Sequence, residues 1–193
     1  MPHISYERRE IAFKLVYYGP GMSGKTTNLA QIHKRLAAEV KTEMISLDTH
    51  EDRTLFFDFM PVELGSIDGY MIRFNMYTVP GQVYYEASRR LILDGADGVV
   101  FVADSQPGRL EENVLSYKRM EQNLRSYKHD PRNFPMVLQY NKRDCPSALP
   151  VGTLEREVSC HGVPVVEAVA TEGRGVMETV RLLSRQIVER FHL

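Results

Sequence analysis

Residues 11–18, Ile11-Ala12-Phe13-Lys14-Leu15-Val16-Tyr17-Tyr18, form an apolar run with one charge, and Leu29, Ile32 and Leu36 then recur at helical spacing. This pattern predicts a strand, a glycine-rich connection and a helix. Residues 43–47 and 55–59 are β-rich, and over 70–78 the apolar Tyr70, Ile72, Phe74 and Met76 alternate with more polar neighbours. Gly65 and the Asp68-Gly69 pair mark turns, and the pair predicts an antiparallel hairpin between its flanking runs. Val99-Val100-Phe101-Val102-Ala103 is continuously apolar, as a strand covered on both faces should be, and Met136-Val137-Leu138 and Pro164-Val165-Val166 repeat the theme. Between these runs, Leu110, Val114, Tyr117 and Leu124 make one helical stripe, and Val176, Val180, Leu183, Ile187 and Phe191 another. Strands alternating with helices predict right-handed βαβ units and an α/β, three-layer, doubly wound sheet, mostly parallel with one antiparallel strand. Ligands of such sheets bind at the carboxyl ends of the strands.

Composition narrows the picture. The chain has 193 residues, 43% of them hydrophobic, which suits one domain over residues 1–193, and no repeat or low-complexity tract interrupts it. A net charge of −1 gives no basic footprint for nucleic acid. Cys145 and Cys160 lack metal spacing and are expected as free thiols of a reducing compartment. The first residues lack a signal-peptide core, position 2 is not glycine and the final residues carry no prenylation cysteine. A cytoplasmic protein without a lipid anchor is the expectation.

The connection after the first strand reads Gly19-Pro20-Gly21-Met22-Ser23-Gly24-Lys25-Thr26, a G-x-x-x-x-G-K-T phosphate-binding loop in the strand–loop–helix setting the motif requires. Glycines let backbone N–H groups close on a polyphosphate, Lys25 neutralises the β- and γ-phosphates, and the Thr26 hydroxyl offers a hard oxygen to Mg²⁺. Met22, Ser23 and Thr27 complete the expected contacts with the nucleotide. A second motif, Asn141-Lys142-Arg143-Asp144, follows the strand at 136–140. Guanine presents two adjacent donors, N1–H and the N2 amine, that one carboxylate such as Asp144 can accept together, and adenine presents no such pair. Asn141 either braces the loop or meets the base edge, and the apolar stem of Lys142 can lie over the purine. Near Val169, a backbone N–H from Ala170 is placed to meet the guanine O6. GTP and GDP with Mg²⁺ are therefore the expected ligands.

These residues together resemble the small Ras-like GTPases over nearly the whole chain. Residues 46–59, with Arg53-Thr54-Leu55-Phe56-Phe57-Asp58-Phe59, and Tyr77-Thr78-Val79-Pro80-Gly81-Gln82 look like the bacterial gliding and polarity GTPases of the MglA type. The resemblance implies a switch that hydrolyses GTP, slowly without an activating partner. It casts Gly81 as the sensor of the γ-phosphate and Gln82 as the residue that orients the attacking water. Thr54 becomes the first-switch ligand of Mg²⁺, with Thr49 as the alternative. Arg53 becomes an arginine finger acting in cis, a role worth roughly 10³ to 10⁵ in rate. The sequence departs from the Ras pattern at Thr78, where an aspartate is usual. Asp58 is the candidate substitute, a solvent-facing strand position being its alternative. The implied partners are a homodimeric roadblock-fold activator of the MglB type and effectors of cell polarity or surface motility, with enrichment at a cell pole. Leu55, Phe56, Phe57, Phe59 and Met60 divide between strand burial and a docking surface. The pairs Arg8-Arg9 and Arg89-Arg90 read as solvated charge. Two rival classes remain: a pseudo-GTPase that holds guanine nucleotide without turnover, and a phosphate-loop ATPase or kinase, which has no use for residues 141–144.

Overall fold

The computed structural model describes residues 2–36, 45–48, 54–80, 86–160 and 162–191. Strands β1 (His3–Ser5), β2 (Glu10–Tyr18), β3 (Ile45–Asp48), β4 (Thr54–Ile67), β5 (Tyr70–Thr78), β6 (Gly98–Asp104), β7 (Met136–Asn141) and β8 (Val165–Glu167) form one sheet. Helices α1 (Lys25–Leu36), α2 (Glu86–Leu93), α3 (Leu110–Ser126), α4 (Thr153–Val158) and α5 (Val176–Phe191) intervene. The order across the sheet is β3-β4-β5-β2-β6-β7-β8. Strands β5, β2, β6, β7 and β8 run parallel, and β4 is antiparallel to β5 through the Asp68-Gly69 turn. Short β1 adds an antiparallel pairing to the start of β2.

Two apolar layers sandwich the sheet. On one face Leu29 and Ile32 of α1 and Val176, Val180, Leu183 and Ile187 of α5 pack on Phe13, Leu15, Tyr17, Val100 and Val102. On the other, Ile92 and Leu93 of α2 and Tyr117, Met120 and Leu124 of α3 cover Val16, Tyr18, Val99, Phe101 and Ala103. Period-two alternation within β6 thus feeds both layers, which is why its run is apolar throughout. Phe191 ends the α5 stripe edge-on to Phe13, with ring centroids 5.5 Å apart.

Gly65 does not make a turn. It sits inside β4 at φ 115°, where the pairing with β5 shifts register between Glu63 and Ser66, so it forms a bulge in a strand that continues to the hairpin. Glycine suits both roles, and only the partner strand decides between them. Pro61 stands opposite Asn75, beyond Phe59, where the pairing of β4 with β3 ends.

Candidate functional site

Four parallel strands deliver their carboxyl ends to one side of the molecule: β2 leads into the glycine-rich loop, β6 ends at Asp104, β7 ends at Asn141 and β8 leads to residues 168–171. In the glycine-rich loop, a side chain at Gly19 would meet the Val102 carbonyl oxygen at 2.3 Å, and one at Gly24 would meet Asn141 Nδ2 at 2.2 Å. Backbone therefore packs where side chains would not fit. Lys25 opens α1 and is buried, its Nζ donating to the carbonyls of Gly19 (3.1 Å) and Pro20 (2.7 Å). Burial pushes its ammonium down to about 7, helped by the charges of Arg89 and Arg109 and opposed by Asp58. An anion in the loop would relieve that desolvated charge.

Beside Lys25, the Thr26 hydroxyl donates to Asp58 Oδ2 at 2.6 Å. Thr78 Oγ1 donates to the same oxygen at 2.9 Å and accepts the Asp58 N–H at 2.9 Å. Asp58 and Thr78 have no exposed surface, so Asp58 is not a solvent-facing strand residue. The antiparallel register that pairs Phe59 with Tyr77 on β4 and β5 also sets Asp58 beside Thr78, next to the start of α1. A buried carboxylate in contact with the loop threonine and with Thr78, the residue that stands where Ras-like proteins carry an aspartate, fits a hard cation that takes its other ligands from phosphate and water. Among the described residues no group of three histidine, cysteine or acidic side chains gathers, so an all-protein cage is not what these donors form.

The base side is a cleft of about 410 Å³ whose walls include Met22, Gly24, Thr27, Asn141, Lys142, Asp144, Val169 and Ala170, all expected from the sequence, together with Gln106 and Cys145. Asn141 is buried and braces: its Nδ2 donates to the Ser23 carbonyl (2.8 Å) and its Oδ1 accepts the Ala170 N–H (2.9 Å). The Ala170 amide, expected at a base edge, is thus engaged by Asn141, and a contact with O6 would share that hydrogen. Lys142 adopts φ 64° and anchors its Nζ on Asp104 Oδ2 at 2.6 Å, leaving its stem along the cleft. Arg143 holds the loop in place through Glu167 Oε2 (2.7 Å) and the Leu149 carbonyl (2.6 Å). Asp144 is exposed at the cleft wall, where an acceptor for ligand donors has to be.

Arg53, Gly81, Gln82 and the alternative Thr49 lie outside the described residues, and Thr54 is the first residue of β4. Of the apolar group beside it, Met60 enters the core and Phe59 is half-buried against Tyr77, while the side chains of residues 55–57 are outside the described set. Two residues of the site were not singled out in the sequence. Asp104, nearly fully buried, orients Lys142, and Arg109 donates to the Gly21 carbonyl. Arg89 is not solvated charge: it is 4% exposed, paired with Glu86 at 2.6 Å and close enough to depress Lys25. Its neighbour Arg90 is exposed. Helical spacing placed Arg89 on the face of Ile92 and Leu93, a signal that its charge obscured. Both cysteines are free thiols. No helix among the described residues is long and apolar enough to cross a membrane.

A mixed sheet with helices on both faces, a phosphate-type loop after the strand where its order turns, and an N-K-x-D segment across the cleft define a small G protein of the phosphate-loop class. No family profile matches the chain. Over 188 residues it is 50% identical to the mutual gliding-motility protein MglA of Myxococcus xanthus (strain DK1622), spanning 97% of this chain and 96% of that protein. The chain belongs to the MglA family of Ras-like small GTPases.

Proposed function

We propose that residues 1–193 form one GTPase domain, a molecular switch that binds GTP, hydrolyses it to GDP and phosphate, and signals in gliding motility or cell polarity. The observation that carries this reading is Asn141, which ties the phosphate loop at Ser23 to the base loop at Ala170 and makes them two walls of one cleft. In this reading residues 19–27 wrap the phosphates, Lys25 neutralises them, and Asp144 selects guanine with Lys142 along the purine. Thr26 and Thr54 hold Mg²⁺, and Asp58 stands in for the aspartate that Thr78 replaces. Bound there, the cation would neutralise negative charge on the polyphosphate. Gln82 orients the attacking water, Arg53 stabilises the charge that develops in transfer, and Gly81 reports the γ-phosphate to the second switch. A roadblock-type homodimer accelerates turnover, and polarity or motility effectors read the switches of this cytoplasmic protein, concentrated at a pole.

The test identifies the nucleotide released when purified protein is denatured, competes GTP against ATP, and follows GTP hydrolysis with and without a roadblock-type activator. Guanine nucleotide and accelerated turnover support the switch. ATP competing as well as GTP rejects the guanine assignment. Guanine binding with no turnover, even with the activator, favours the pseudo-GTPase, whose support is Thr78 itself.

A further inference from the structure

Arg109 lies on a short turn, Pro107–Arg109, between β6 and α3, outside both nucleotide motifs. Its Nη2 donates to the Gly21 carbonyl at 2.7 Å, its Nη1 meets Glu112, and its Nε lies 3.6 Å from Asp104 Oδ2. The same Asp104 oxygen holds Lys142 Nζ at 2.6 Å, while Asp104 Oδ1 accepts the Gln106 N–H at 3.1 Å, fixing the turn that carries Arg109. Asp104 is itself pinned by Asn113, which accepts its N–H (2.9 Å) and donates to its carbonyl (2.8 Å). One buried carboxylate thereby connects the base-loop lysine to an arginine that grips the phosphate loop.

What Arg109 grips is the peptide between Gly21 and Met22. Met22 has φ 61°, a left-handed conformation that an L side chain adopts at a cost, and its side chain is 79% exposed, so little packing offsets that cost. In a planar trans peptide the carbonyl and the following N–H point in opposite directions. Fixing the Gly21 oxygen toward Arg109 therefore fixes the Met22 N–H away from it, and loops of alternating handedness aim their N–H groups at anions. We propose that Arg109 is a positioning residue that holds the strained Gly21–Met22 peptide in its phosphate-binding orientation and so slows nucleotide release. The proposal rests on the guanine-nucleotide reading of the cleft.

The experiment measures release of a fluorescent GDP analogue in Mg²⁺ from wild type, Arg109→Ala, Arg109→Lys, Met22→Gly and the double variant Arg109→Ala/Met22→Gly. Loss of a charge-assisted hydrogen bond at a partly exposed site should speed release about tenfold in Arg109→Ala. Arg109→Lys, which keeps the charge but cannot span Asp104 and Gly21 with a planar fork, should fall between. With glycine at 22 the left-handed turn no longer needs support, so Arg109→Ala should have a much smaller effect there. This dependence on residue 22 is what a merely structural role would not produce. An equal acceleration in both backgrounds, or release from Arg109→Ala at the wild-type rate, overturns the proposal while leaving guanine binding intact. A wild-type protein that does not take up the analogue overturns the functional reading and the latch together.

Discussion

Asp58 is a carboxylate with no exposed surface that accepts hydrogen bonds from two hydroxyls, Thr26 and Thr78. The departure from the Ras pattern at Thr78 made it a candidate, but the sequence could not show that β4 carries it back to the start of α1, because that contact depends on strand register. Asp58→Asn keeps the shape and removes the charge. It should weaken Mg²⁺ affinity roughly 10- to 100-fold, the usual effect of losing an outer-sphere partner. The readout is GDP release with Mg²⁺ against release with a chelator. The variant should narrow that ratio mainly by releasing faster in Mg²⁺; an unchanged ratio removes Asp58 from the metal site. Lys25 gives a second expectation at this scale. Its pKa is depressed by burial from 10.5 to about 7, so it is largely neutral at pH 8.5, and a bound polyphosphate favours the charged form. Binding should therefore take up a proton at pH 8.5, where the phosphates are already ionised, and affinity should fall as pH rises above 7. Calorimetry in two buffers of different ionisation enthalpy measures the uptake. No buffer dependence at pH 8.5 would mean that Lys25 is already charged in the empty protein.

Among the elements, those with long, regular apolar patterns were legible: β2, β6 and β7 from continuous runs, α3 and α5 from stripes. The elements that escaped were short or defined by their partner. Strand β1 has three residues and exists through pairing with residues 10–12, and the bulge at Gly65 is a relation between β4 and β5. Helix α5 shows how closely an element can be fitted. Its Ile187 and Leu183 methyl carbons would lie 2.7 and 2.9 Å from a side chain at Gly98, the first residue of β6. Gly98→Ala should therefore overpack the interface and destabilise the protein by about 1–3 kcal/mol in chemical denaturation. Ile187→Val removes the nearest methyl, so the pair Gly98→Ala/Ile187→Val should be more stable than the sum of the single changes allows. Strict additivity would show that α5 shifts freely and that the contact is not a constraint.

For the molecule as a whole, the N-K-x-D segment revealed that two distant stretches meet, but not how the interior joins them. Besides the direct bridge at Asn141, a buried polar chain runs behind the site. Asn28 Nδ2 donates to the Gly24 carbonyl (2.9 Å), Gln139 Nε2 donates to Asn28 Oδ1 (3.0 Å) and to Thr179 Oγ1 (2.8 Å), and Thr179 Oγ1 donates to the Gly175 carbonyl (2.8 Å). Gly175 lies against the backbone at Glu167 and Ala168, so this chain connects α1 below the phosphate loop to the segment below the base loop. Gln139 is fully buried, and its apolar neighbours gave no sign of a polar role. Gln139→Leu leaves Asn28 Oδ1 without that donor and should lower stability by roughly 1–3 kcal/mol. If the chain sets the spacing of the two walls, it should also weaken nucleotide binding, and ligand stabilisation depends on the ratio of ligand concentration to Kd. The thermal shift produced by GDP should then shrink in Gln139→Leu. Gly98→Ala, a comparable lesion at the amino end of β6 and so away from the cleft at the carboxyl ends of the strands, should lower the midpoint with and without GDP alike. Equal GDP shifts in the two variants would reduce the buried chain to a stabilising network and leave Asn141 as the connection between phosphate and base.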